Sequence, residues 1–175
     1  MASLTQSIPV GFASANAQHA ADLGKTVFVD GKIFKLVKAT STITTAASRG
    51  LVTAFSSGAP TWSVALPSYP VANDVLFVPA GQVGSTGTTS LIAGDYFLAQ
   101  VSGPATGLAA DTAATLAAGT AVSLVQVLVV NSLGQLAAYT PLASAVLPIG
   151  NIRSTNTAVA SVVSAPITIM VGGLV

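Results

Sequence analysis

This sequence predicts an all-β fold, an antiparallel β-barrel or sandwich preceded by an extended amino-terminal arm, and three observations carry the prediction. The dipeptide Asp30-Gly31 separates two alternating runs, TVFV and KIFKLV, which is the signal of a two-residue hairpin. Short runs rich in Val, Ile, Thr and Leu then recur between Gly, Pro, Ser and Asn punctuation, about ten strands in all. Only Leu108 to Ala118 reads as a short helix, and Thr112 and Thr115 dilute even that one. Many short strands bury their apolar faces by stacking or closing a sheet.

Residues 1–24 are rich in Ala, Ser and Gln and follow neither the helical nor the strand period. Such a segment frays when alone, so something is expected to hold it, a neighbouring subunit ahead of the chain's own domain. At the hairpin, Asp-Gly supplies the positive φ of a type I′ turn, which sets Val29 opposite Lys32, Phe28 opposite Ile33 and Val27 opposite Phe34. One face then carries Thr26, Phe28, Ile33, Lys35 and Val37. The other carries Lys25, Lys32 and Lys38 around an apolar centre of Val27, Val29, Phe34 and Leu36.

Thr40 to Thr53 reads as one or two strands, and Ser57-Gly58-Ala59-Pro60, Pro67, Pro70 and Pro79 mark the loops after it. Asp74 to Val78 and Asp95 to Val101 read as strands joined by a flexible Gly/Ser/Thr tip from Gly81 to Gly94. Ala121 to Val130 is apolar on both faces, which predicts a strand covered on both sides. A turn at Asn131-Ser132-Leu133-Gly134 leads into Gln135 to Thr140, and Ala145 to Leu147, Thr157 to Val163 and Pro166 to Val171 complete the set. Residues 25–175 make one β domain or two small β modules, about 25–103 and 104–175.

Composition narrows the function. Glutamate never occurs and only 6 % of the residues are charged, where an ordinary domain is ~25 % charged to keep its surface wet and its neighbours apart. With 51 % of the chain hydrophobic, such a surface suits a subunit largely covered by other protein. A net charge of +1 exerts no global pull towards nucleic acid or an anionic membrane. The absence of cysteine excludes disulfides and thiolate metal sites. No signal peptide is expected, because the start lacks a basic region and Pro9 and Gly11 interrupt any apolar one. Ala113 to Asn131 is apolar enough to imitate a membrane span, but Gly119 and Thr120 at its centre and the lack of basic or aromatic flanks favour a buried strand.

Chemistry is sparse. His19, the only histidine, is three residues from Asp22 and could share a helical turn with it, yet no nucleophile elbow accompanies them, and a surface histidine on an arm is the better reading. The five aspartates form no metal-ligand spacing and no evident pair, so neither a metal, a cofactor nor catalysis is expected. GQVGSTGTTS resembles a phosphate loop but lacks its lysine and the helix that follows. Lys25, Lys32, Lys35, Lys38 and Arg49 hold five of the six basic groups. They are candidates for docking on an acidic protein surface; the alternatives are a solvated hairpin face and weak, salt-sensitive phosphate contacts. Trp62, the single tryptophan, fits a core anchor or an interface contact better than a carbohydrate platform.

The carboxyl half, VSLVQVLVVNSLGQLAAYTP, LPIGNIRSTNTAVASVV and PITIMVGGLV, resembles the small all-β decoration, or cement, proteins of tailed bacteriophage heads. The likeness covers about Ala121 to Val175 and is a cadence of strands and turns. It implies a barrel or tulip-like subunit, commonly a homotrimer, on the outer surface of the virion. There it would bridge neighbouring copies of the major capsid protein, without catalysis, nucleic acid or membrane as partner, after synthesis in the host cytoplasm. Another structural β module, such as a fibre, tail or surface-layer component, is the second reading, and an enzyme or small-ligand binder the third.

Overall fold

The computed structural model describes residues 7–46, 48–67, 75–105, 128–130, 132–138 and 167–170. The expected helix at Leu108 to Ala118, most of the expected strand Ala121 to Val130, and the expected strands at Ala145 to Leu147 and Thr157 to Val163 lie outside them. The elements in chain order are β1 (Ala13–Ser14), a 3-10 helix (Ala17–Asp22), β2 (Thr26–Val29), β3 (Lys32–Ala39), β4 (Ile43–Thr44) and β5 (Gly50–Ser56). There follow β6 (Ala59–Ala65), β7 (Val75–Phe77), β8 (Ser90–Leu91), β9 (Tyr96–Ala105), β10 (Leu128–Val130), β11 (Leu136–Ala138) and β12 (Ile167–Met170). The fold is all-β; the 3-10 turn is the sole helical element among the described residues.

The hairpin forms in the expected register. Asp30 and Gly31 take φ of 49° and 72°, and β2 pairs β3 with Val29 opposite Lys32, Phe28 opposite Ile33 and Val27 opposite Phe34. From there the strand pairings return on themselves, running from β3 to β6, β5, β7 and β9 and back to β3. The expectation of a purely antiparallel sheet is corrected at one place, since β3 and β6 run parallel through Lys38–Ser63 and Ala39–Val64. Gln100 marks where the circuit closes, facing Phe34 of β3 and Phe77 of β7. β2, β1 and β12 extend the sheet from β3 and β9.

Because β3 and β9 are central, alternation buries both of their faces. One face sends Val37, Ala39, Phe97, Ala99 and Val101 into a core shared with Leu51, Val64 and Leu76 from the neighbouring strands. The opposite face carries Phe34, Leu36, Tyr96 and Leu98, against which Ile8, Val10 and Leu23 of the amino-terminal segment pack. That packing corrects the expectation of a neighbour-held arm: the chain's own sheet holds residues 7–24. β1 pairs with Phe97 and Tyr96, and Phe12 bridges to Val83. Asn16 caps the 3-10 helix by accepting from the Gln18 amide at 3.0 Å, which satisfies one of its orphan donors.

Two further readings change. Ala59-Pro60 opens a strand instead of ending in a loop, because Ser57 and Gly58, with φ of 53° and 80°, turn β5 into β6. Pro60 is tolerated because β6 meets β3 only from Ser63 onwards, leaving β5 as its neighbour there. The tip from Gly81 to Gly94 is also tied down rather than loose. The Asp95 side chain, fully buried, accepts from the Ser85 and Ile92 amides at 3.2 and 3.1 Å and from the Ser85 hydroxyl. Within the tip β8 pairs with β4, and the Thr45 amide donates to the Thr89 carbonyl.

Candidate functional site

The 3-10 helix brings together the residues with chemical potential. It has about three residues per turn, so positions three apart stack on one side. His19 and Asp22 stand in that relation, and Lys25 follows directly, its amide donating to the Asp22 carbonyl at 3.0 Å. The Lys25 ammonium meets Asp22 Oδ1 at 3.2 Å, an ion pair whose lysine is well exposed. Gly24 ends this segment with φ of 81°, and its missing side chain is required twice over. A Cβ there would demand a left-handed side-chain residue and would collide with the Trp62 indole.

Beneath this segment lies a cavity of about 260 Å³. His19, Asp22 and Lys25 line one side of it, and Ile8, Val27, Leu36 and Leu98 form the apolar part of its wall. His19 is not the surface residue expected from sequence. It is 6 % exposed and its ring lies 5.9 Å from that of Tyr96, tilted by 51°. Burial of the outer face of β9 draws it in, since the segment that covers Tyr96 and Leu98 carries His19 with it. The residue spacing pointed to His19 and Asp22 as a pair; nothing local in the sequence pointed to the cavity.

The five basic candidates do not converge on one patch. Lys25 is engaged with Asp22. Lys32 stands at the turn end of β3. The Lys35 ammonium sits 4.6 Å over the Trp62 ring and that of Lys38 5.5 Å over the Tyr96 ring. By alternation Lys32 and Lys38 share a face and Lys35 takes the opposite one. Arg49 lies elsewhere, where Nη1 donates to the Pro79 carbonyl at 2.7 Å and Nε is buried without a partner. Partial burial, which disfavours the charged form, lowers the pKa of its guanidinium. Trp62 itself adopts a left-handed φ of 58° and packs at the margin of the main core.

Among the described residues no three His, Asp, Glu or Cys side chains gather as metal ligands, and no helix is long and apolar enough to cross a membrane. Large apolar side chains do reach the surface: Phe12, Phe28, Phe55, Ile92 and Leu133 are exposed, Phe28 to 74 %. Comparison with protein-family models, curated proteins and solved structures finds no match to this chain.

Proposed function

We propose that this chain is a structural virion protein, without catalytic activity, that decorates an icosahedral phage capsid and stabilises it by bridging neighbouring capsid subunits. The observation that carries the reading is a surface poor in charge yet studded with aromatic side chains. Only 6 % of the residues are charged, while Phe12, Phe28 and Phe55 stand exposed on the isolated chain. Aromatic side chains are enriched at protein interfaces, where charged ones are depleted.

In this role the protein acts by linkage. Binding the assembled shell and not its free subunits stabilises the shell without any chemistry, and many copies on one lattice add avidity. The partners are further copies of the chain, as a homotrimer, and the major capsid protein. The basic residues Lys25, Lys32, Lys35, Lys38 and Arg49 are the candidate contacts to that shell, now distributed over more than one face.

Purified particles supply the test. A copy number that matches the shell lattice, and heat resistance lost when the protein is stripped off and regained when it is added back, are the expected results. Substituting Lys32, Lys35 and Lys38 with Gln should loosen attachment, and raised salt should loosen the wild type in parallel. A monodisperse monomer that never associates with particles would overturn the proposal, and a copy number unrelated to the lattice would point to a fibre or tail component.

A further inference from the structure

We propose that the cavity between the amino-terminal segment and the sheet binds a small organic acid, a carboxylate head on an apolar body. This inference stands apart from the assembly reading, since it rests on the interior of one chain. Its first ground is His19. The residue is only 6 % exposed and lines the cavity. Even a neutral imidazole carries one N–H donor, so an acceptor head seated in the cavity can pair with it.

The second ground is Lys25. Its ammonium has three donors, of which one meets Asp22 Oδ1. Asp22 therefore holds the ammonium at the rim and leaves donors free for a ligand. Two donor groups on one side of the cavity select an acceptor head, and a carboxylate accepts from both. Lys25 and Asp22 cancel each other's charge, so the rim tolerates an incoming anion.

The third ground is the apolar part of the wall, beside which Ser7 and Thr26 also line the cavity. Ile8, Val27, Leu36 and Leu98 offer no hydrogen bonds and match an aliphatic or aromatic body. The volume of about 260 Å³ exceeds the ~150 Å³ of an apolar cavity that accommodates benzene. A body and head of roughly ten heavy atoms together fit that space.

Octanoate is the probe, with octanol as its counterpart lacking the charged head, titrated calorimetrically into the full chain. Octanoate should bind saturably with a Kd below about 1 mM, and octanol about fivefold or more weakly. Lys25→Gln, at an exposed position and so expected to fold, should weaken octanoate about fivefold. His19→Gln should weaken it comparably; where that variant fails to fold, Lys25→Gln carries the test. Amide shifts on titration should centre on Ile8, His19 and Leu36. Absence of saturation up to about 10 mM, equal binding of octanol, or an unchanged Lys25→Gln variant would overturn the assignment.

Discussion

The two faces of the β3–β9 pair are both buried, but by different means. One face is closed by strands of the same circuit, and Val37, Ala39, Phe97 and Ala99 have no exposure at all. The other is closed by a segment with a two-residue strand and one 3-10 turn, and its cover of Ile8, Val10 and Leu23 is only partly buried. Strands seal the first face, whereas the irregular cover leaves a cavity beside the second. The difference teaches that two comparably apolar faces of one strand pair can be closed unequally, by strands on one side and by an irregular segment on the other.

Mutations on the two faces sharpen that contrast. The largest effect is expected for Phe97→Ala, a loss of about 3–5 kcal/mol in chemical denaturation, because the sealed core cannot collapse around the gap. Asp95→Ala should follow at about 2–4 kcal/mol, since it strands the Ser85 and Ile92 amides in a buried place. Gly24→Ala should cost about 1–3 kcal/mol through its left-handed φ and the Trp62 contact. Leu23→Ala, within the looser cover, should cost only about 1 kcal/mol. If Leu23→Ala matched Phe97→Ala, the two faces would be equally sealed and the contrast would fail. Smallest of all, Phe28→Ser should leave the melting curve within about 0.5 kcal/mol of the wild type, while lowering occupancy on particles.

What the sequence disclosed and withheld divides by range. Asp30-Gly31 fixed its hairpin down to the pairing of Phe28 with Ile33, because turn chemistry acts over four residues. Pro60 hid β6, since a proline reads as a breaker until the sheet shows which neighbour lies beside it. Asp95 read as the first residue of a strand, and its hold on Ser85, ten positions earlier, exists only after the tip folds back. His19 and Asp22 were visible as a pair, but the burial of His19 depends on Tyr96 and on the whole path of the amino-terminal segment. The lysine cluster was contiguous in sequence and is divided in space, as alternation along β3 requires.

The contact between Gly24 and Trp62 gives the molecule its own gauge. Trp62 is the single tryptophan of the chain, and its indole lies against Gly24 at the end of the covering segment with the Lys35 ammonium over its ring. Emission from this one fluorophore therefore reports whether the segment is seated. Lifting the segment would wet one side of the indole and shift its spectrum to the red while the strands stay paired, so undocking and unfolding can be followed as separate events in an unlabelled sample.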